Sequence, residues 1–196
     1  MELQNYINSH PNYISEFKNL NFKINSYKKL KIISYPYDKK PSYDENNLYQ
    51  LYCRGAIVNS DHKIICLPPI HSIKFNENHE FNNQNIIYEH LIDGTMINLF
   101  YANDEWIIST RSEIGGYNKW NNQKSFRQMF DECSQLDYET LDKTMSYSFV
   151  MRHTENRNIS PIHQNELFLV EVYDYKNNTI RKLSKSEYPD NIYSID

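Results

Sequence analysis

Residues 93–110, DGTMINLFYANDEWIIST, decide the fold of this chain. Two runs rich in β-branched and aromatic residues flank the Asn103-Asp104 pair, which is typical of a tight turn. The stretch predicts two antiparallel strands, Thr95–Tyr101 and Glu105–Thr110, joined as a hairpin. The rest of the sheet is predicted to form around this hairpin.

Further strands are predicted on both sides of the hairpin, and helices at two places. Residues 125–136 carry apolar side chains at three- and four-residue steps, which predicts a helix that packs on the sheet. The first twenty residues predict two short helices separated at His10-Pro11. The fold class is therefore α+β, an antiparallel β-sheet meander with packed helices. The predicted strands outside the hairpin are Lys31–Pro36, Tyr49–Val58, Lys63–Leu67, Ile86–Ile92, Ser146–Arg152, Glu166–Tyr175 and Thr179–Leu183.

The length and composition restrict the class of protein. With 196 residues the chain is expected to be a single domain, 1–196, with a helical and basic segment at 1–44, a sheet core at 45–187 and a polar tail at 188–196. Only 4 glycines are present, which excludes P-loop and dinucleotide-binding folds. The 3 cysteines are far apart and form no CxxC pair, so neither a disulfide framework nor a metal site is predicted.

Basic residues are concentrated near the start of the chain. Between Phe17 and Pro41 there are seven lysines and one acid, although the whole chain has a net charge of −4. Lys28 and Lys29 are therefore candidate RNA or phosphate contacts, with a solvated lysine face as the alternative. The chain shows no leader pattern and no apolar stretch of membrane-spanning length, so we expect a cytoplasmic protein without a membrane partner.

Charged residues beside apolar strands are candidate site residues. Arg54 precedes Gly55 in an apolar run, where an arginine costs desolvation energy unless an anion or a carboxylate meets it. An arginine at a sheet edge is the alternative interpretation. Asp93-Gly94 taken alone predicts a hairpin turn, and Arg111 taken alone predicts a solvated strand end.

Five short elements follow one another along the chain, and their order carries a resemblance. In this order they resemble the covalent nucleotidyltransferase superfamily, specifically the phage-type RNA ligase family and its relatives in large DNA viruses. The likeness covers roughly residues 45–175, and residues 93–100 are similar to a stretch in a group of giant-virus proteins. The elements are Cys53-Arg54-Gly55, Lys74-Phe75-Asn76-Glu77, Leu91-Ile92-Asp93-Gly94, Ser109-Thr110-Arg111, and Phe149-Val150-Met151-Arg152 running to Asn156-Arg157.

The resemblance implies a fold, a ligand and a set of residues. The fold would be the ATP-grasp-like nucleotidyltransferase domain of RNA ligases, truncated, over 45–187. ATP and Mg²⁺ would be its cofactors, and a nucleotide or an RNA 5′-phosphate end its partner. Tyr88, Phe100 and Trp106 have two alternative roles: they stack on a base of the ligand, or they pack in the core, which is the more common use of such residues in strands. The implied nucleotide-binding residues are Arg54, Lys74, Glu89, Asp93, Gly94 and Arg111, and the implied RNA or phosphate contacts are Lys28, Lys29 and Arg157.

The departures from the family pattern concern catalysis. The family's attacking lysine is replaced by Leu91, which has no nucleophilic atom, and no lysine lies between Lys74 and Lys119. His90 is the nearest nucleophile, but strand alternation would direct it to the opposite face. Arg152 replaces an acid of the family, and we expect it to plug the pocket by pairing with Asp93 or Glu89.

No catalytic residue is therefore predicted, and three functions stay open. The first is a non-covalent nucleotide or RNA-end binding domain. The second is an active ATP-dependent ligase with a relocated nucleophile or a complementing partner chain. The third is a non-catalytic protein-interaction scaffold with an unknown protein partner, because fold does not fix function.

Overall fold

Antiparallel strands in two sheets carry the fold of this protein. The computed structural model describes residues 1–36, 38, 41, 45–70, 90–120, 123–156, 158–181, 183, 188 and 192. The helices are Glu2–Ser9 (α1), Tyr13–Asn19 (α2) and Phe126–Cys133 (α3), with a 3₁₀ helix at Glu45–Tyr52. The strands are Lys23–Tyr27 (β1), Leu30–Ser34 (β2), Arg54–Val58 (β3), Ile64–Cys66 (β4), Thr95–Ala102 (β5), Glu105–Ser109 (β6), Met145–Arg152 (β7), Glu166–Asp174 (β8) and Thr179–Arg181 (β9).

The two sheets differ in topology. Sheet A is a meander in the order β1-β2-β3-β4, and sheet B has the order β6-β5-β7-β8-β9. The predicted α+β class is confirmed, but the prediction of one dominant meander is wrong. In sheet B, β7 returns to pair with β5 rather than with its nearest preceding strand β6. Hydrophobic alternation identifies strands and leaves their partners open, which explains the difference.

The described elements stack in four layers. Helices α1 and α2 cover one face of sheet A, and α3 covers one face of sheet B. The other faces of the two sheets meet each other. The outer layer on sheet A contains Leu3, Ile7, Tyr13, Phe17, Ile33, Ala56 and Val58, and the outer layer on sheet B contains Ile97, Leu99, Ile108, Phe126, Met129, Phe130, Phe149 and Met151.

The layer between the sheets changes from apolar to polar along the strands. Its apolar part contains Leu30, Ile32, Ile57, Ile65, Phe100 and Ile107. Next to it, the register places Ser109, Asn98, Ser148 and Glu171 side by side across sheet B. Ser148 Oγ donates to Asn98 Oδ1 at 2.9 Å, and Asn98 Nδ2 donates to Ser109 Oγ at 3.4 Å. These hydrogen bonds offset the cost of burying Ser109, Asn98 and Ser148.

Most predicted elements in the described ranges are confirmed. The helix break at His10-Pro11 separates α1 from α2. Helix α3 begins after Ser125, which forms a capping box with Gln128. The predicted strands that correspond to β2, β4, β5, β6, β7, β8 and β9 are present with ends shifted by a few residues.

Two predictions differ from the structure or extend beyond its described residues, and one strand is missing from the predictions. The predicted strand Tyr49–Val58 is a 3₁₀ helix as far as Tyr52 and a strand only from Arg54. Strand β1 was not predicted. Of the predicted strand Ile86–Ile92, residues 86–89 lie outside the described residues and 90–92 are in no strand.

The last described residues contact the core. In the predicted polar tail 188–196, Tyr188 and Ile192 pack against the core of sheet B, and the other residues lie outside the described part. Each described α-helix has eight residues or fewer, and none of them is long and apolar enough to cross a bilayer.

Candidate functional site

Several predicted site residues meet at one end of sheet B. Asp93 precedes β5, Arg111 follows β6, Arg152 ends β7 and Glu166 begins β8. Because neighbouring strands are antiparallel, these four positions share the same end of the sheet. We call this end, together with the adjoining start of β3, the strand-end site.

Gly55 brings sheet A to the strand-end site. Its φ of +103° is a conformation that residues with a side chain rarely adopt. A Cβ atom built there would lie 2.9 Å from the carbonyl oxygen of Arg111, so the two backbones are in direct contact. The structure therefore brings together the elements Cys53-Arg54-Gly55 and Ser109-Thr110-Arg111, which are far apart in sequence.

Arg111 links the two sheets at this junction. Its Nη2 donates to the carbonyl oxygen of Tyr35 at 3.0 Å, and its guanidinium lies 4.5 Å from the centre of the Tyr35 ring. The backbone N–H of Tyr35 donates in turn to the carbonyl oxygen of Cys53 at 2.9 Å. Arg111 is thus engaged in holding β2 against the end of β6, and it is not a solvated strand end.

Arg54 lies beside this junction with a different environment. A register shift at Ile33/Ser34 places Arg54 opposite Ser34, and Ser34 alternates with Ile32 on the face of sheet A that meets sheet B. The Arg54 side chain is half-buried, and within the described residues it makes no hydrogen bond or ion pair. A half-buried arginine side chain that has no partner among the described residues is a candidate anion-binding group.

Asp93 and Gly94 are fixed by the backbone around them. Asp93 Oδ2 accepts hydrogen bonds from the backbone N–H groups of Ile159 at 2.9 Å and Ser160 at 2.7 Å. At Gly94 a Cβ atom would lie 2.6 Å from the carbonyl oxygen of Met151. Gly94 therefore allows the start of β5 to lie close to the backbone of β7. Asp93 holds the loop at residues 159–160 through its two hydrogen bonds.

Two residues shortly before Asp93, His90 and Leu91, are exposed. Leu91, at the position of the resembled family's lysine, is 99 % exposed, and His90 is exposed as well. The predicted strand alternation at His90 does not apply, because residues 90–92 are in no strand. Ile159, whose N–H bonds to Asp93, is 96 % exposed.

Of the two predicted partners of Arg152, Asp93 is wrong. Arg152 Nη1 donates to Glu166 Oε2 at 2.9 Å. Asp93 forms no ion pair with Arg152. The register explains the choice, since Arg152 and Glu166 are directly opposite each other on β7 and β8. The other expected partner, Glu89, lies outside the described residues.

The remaining predicted residues fall in three groups. Lys28 and Lys29 are exposed at the turn between β1 and β2, and Lys28 pairs with Glu105 at 2.6 Å, which raises the Lys28 pKa. Phe100 is fully buried between the sheets, and Trp106 packs on the other face of sheet B. Lys74, Tyr88, Glu89 and Arg157 lie outside the described residues.

A second polar cluster was not predicted. His153 is fully buried after β7; its Nε2 bonds Glu132 Oε2 at 2.9 Å and its Nδ1 accepts from the Glu155 N–H at 3.1 Å. Lys124 Nζ contacts both carboxylates, and its hydrogen bond is the main cause of a lowered Glu132 pKa. The donor atoms of Glu132, His153 and Glu155 lie within 4.8 Å of one another. The cluster holds α3 against the end of β7. No short sequence motif predicts this cluster.

A cleft opens on the other side of the Arg111 loop. It has a volume of about 210 Å³ and lies between the β1–β2 hairpin and residues 112–117. Two tyrosines, Tyr27 and Tyr117, and two isoleucines, Ile32 and Ile114, form its apolar part. Its polar lining consists of Asn25, Ser26, Ser112 and Glu113. We call it the tyrosine cleft.

Comparisons with known proteins add no family assignment to this geometry. Neither the protein-family models nor the curated proteins contain a match to the chain.

Proposed function

We propose that this protein binds a nucleotide or an RNA 5′-phosphate end without forming a covalent bond, at the strand-end site. The observation that carries the proposal is Arg54, a half-buried arginine without a hydrogen bond or ion pair among the described residues. An anionic ligand would supply the charge-assisted hydrogen bonds that this guanidinium lacks among the described residues.

Phosphate is the anion that suits this arginine. A guanidinium presents parallel N–H groups that match two phosphate oxygens, and such charge-assisted bonds contribute about 1.5–3 kcal/mol each. Arg111 contributes by position, because its bonds to Tyr35 keep the ends of β2, β3 and β6 together. Lys74, which the resemblance to RNA ligases assigns to the same pocket, remains part of the proposal.

Binding without covalent transfer follows from the residue at position 91. A leucine side chain cannot attack the α-phosphate of ATP, and Leu91 is almost fully exposed. The proposal therefore assigns recognition to the strand-end site and assigns no chemical step to any residue.

Magnesium has a minor place in this proposal. Asp93 Oδ2 already accepts two backbone hydrogen bonds, so a magnesium ion at that oxygen would have to displace them. We propose that Mg²⁺ accompanies the phosphates of the ligand and that binding persists, although weakened, in the presence of a chelator.

The test is a titration of the full chain with ATP and with a short 5′-phosphorylated RNA, each with Mg²⁺ and with a chelator. The variant Arg54→Ala is expected to lose about 10- to 100-fold in affinity, the equivalent of about one charge-assisted bond. Arg127→Ala is the matched control, since Arg127 lies on α3 and pairs with Asp131 at 3.0 Å.

Two results would contradict the proposal. Equal affinities of the wild type and Arg54→Ala for both ligands would remove Arg54 from recognition. A mass increase of one AMP after incubation with ATP would show a covalent step and would support the relocated-nucleophile alternative. Saturable binding that depends on Arg54, with unchanged protein mass, is the expected outcome.

A further inference from the structure

The tyrosine cleft has the size and lining of a site for one flat ring. Its volume of about 210 Å³ is smaller than the roughly 300–1,000 Å³ of pockets for drug-sized ligands. Rings of Tyr27 and Tyr117 and the side chains of Ile32 and Ile114 provide apolar contact, whereas Ser112 and Glu113 provide polar atoms at the edge. An aromatic heterocycle with polar groups on its rim matches this lining.

Tyr117 is exposed and at the same time held in place. It is 62 % exposed, which places it among the exposed large hydrophobic side chains of the described residues. Its ring lies over Gly115, where a Cβ atom would come within 2.3 Å of the ring. The loop is fixed by hydrogen bonds from the Gly115 N–H to the Ile108 oxygen at 2.7 Å and from the Asn118 N–H to Glu113 Oε2 at 2.7 Å. A pre-positioned ring loses little conformational entropy when a ligand stacks on it.

The hairpin beside the cleft is strongly basic. Residues 22–34 contain four lysines and no acid. Lys28 lies 5.5 Å from the centre of the Tyr27 ring and is paired with Glu105, whereas Lys29 is exposed at the tip of the turn. Surface lysines next to exposed aromatic rings are the arrangement with which proteins hold single-stranded nucleic acid. The four lysines are Lys23, Lys28, Lys29 and Lys31.

The cleft adjoins the strand-end site through the backbone. Ser112, in the cleft, follows Arg111 directly, and its carbonyl oxygen accepts a hydrogen bond from Asn25 Nδ2 of β1 at 3.1 Å. A strand of nucleic acid that presents its end to Arg54, beside Arg111, can therefore place a neighbouring base in the cleft.

We infer that the tyrosine cleft binds one unpaired base of a single-stranded RNA by stacking on Tyr117 and that the lysines of the β1–β2 hairpin contact the flanking phosphates. This inference deepens the proposed function, on which it rests for the choice of nucleic acid as ligand. The Glu113 carboxylate at the edge of the cleft accepts hydrogen bonds, which favours bases with an exocyclic amino group such as adenine.

The experiment measures fluorescence anisotropy of a short labelled oligoadenylate with a 5′-hydroxyl end. Tyr117→Ala is expected to weaken binding about 5- to 150-fold, the range that stacking of one base supports, whereas Tyr117→Phe keeps the ring and the affinity. Tyr101→Ala is the matched control, because Tyr101 packs on Trp106 on the opposite face of sheet B. Lys29→Ala is expected to reduce the slope of log K against log salt by about 0.7.

The outcomes separate this inference from the proposed function. If Arg54→Ala weakens binding of 5′-phosphorylated ligands and Tyr117→Ala changes nothing, the inference is overturned and the proposed function stands. If Tyr117→Ala weakens binding of the 5′-hydroxyl RNA and Arg54→Ala has no effect on any ligand, the inference stands and the strand-end proposal fails. Equal weakening by Tyr101→Ala and Tyr117→Ala would overturn the inference, since it would indicate a general loss of structure.

Discussion

Replacement of Gly55 by alanine tests the junction on which the strand-end site depends. The added Cβ atom would lie 2.9 Å from the Arg111 oxygen and 3.1 Å from its Cα, and backbone cannot rotate away as a side chain can. The residue would also keep a φ near +103°, which costs about 1–3 kcal/mol for a residue with a side chain. Crowding of a packed interior adds about 1–3 kcal/mol. The expected loss in the free energy of unfolding is therefore about 2–6 kcal/mol.

Urea unfolding followed by tryptophan fluorescence measures this loss. For a chain of this length, a loss of 2 kcal/mol also lowers the melting temperature by about 4–8 °C. Asn103→Gly is the control, because Asn103 has a positive φ of 52° in an exposed turn, where glycine relieves strain instead of adding it. We expect this control to stay within about 1 kcal/mol of the wild type. A loss below about 1 kcal/mol in Gly55→Ala would refute the argument that the two backbones are in contact.

Two further predictions concern helix α3 and its polar cluster. Ser125→Ala removes the capping box of α3 and should lower the free energy of unfolding by about 0.5–2 kcal/mol in the same assay, whereas an unchanged value would show that the cap does not contribute. The lowered pKa of Glu132 means that its contribution to stability is present above the ordinary glutamate pKa and is lost as the pH falls through the lowered one. Lys124→Met removes the main cause of that shift, so the stability of the variant should depend less on pH below about pH 4.5 than the stability of the wild type. Identical acid unfolding curves of the two proteins would contradict this assignment.

The elements that the sequence predicts well are those with a strong local pattern. Helix α3 places Phe126, Met129 and Phe130 on one buried face, and a serine caps its start. In the β5–β6 hairpin, residues 97–100 and 107–109 are buried. Asn103 and Asp104 in the turn have positive φ. Such signals depend only on neighbours in the sequence, so one sequence is enough to interpret them.

Strand β1 and the 3₁₀ helix show where local patterns fail. Lys23–Tyr27 is an edge strand with exposed or partly exposed residues throughout, so it carries almost no apolar alternation. In the 3₁₀ helix, Leu51 is buried. The leucines and tyrosines of residues 48–52 are equally typical of a buried strand. Contacts with α1 and with the aromatic rings of the N-terminal helices decide the conformation of this segment, and those contacts are long-range in sequence.

The candidate site depends on long-range register even more strongly. The sequence predicts Asp93 and Glu89 as partners of Arg152, whereas the pairing of β7 with β8 selects Glu166. The cluster of Glu132, His153 and Lys124 likewise exists because α3 packs beside the end of β7. A sequence supplies the charged groups, but the register of strands that are distant in sequence determines which of them meet.

Arg54 and Arg111 make this point within one site. Both are arginines next to apolar strands. From the residues alone, Arg54 is predicted to be an anion-binding, ion-paired or edge residue and Arg111 a solvated strand end. In the structure Arg111 reaches across to the Tyr35 carbonyl and ring, so its charge is used in joining the sheets. The register shift at Ile33/Ser34 instead turns Arg54 to the face between the sheets, beside Ser34. Because a one-residue change in register would reverse the face of Arg54, the bulge sets the face on which this arginine lies, and loss of the bulge is expected to remove the binding that we propose.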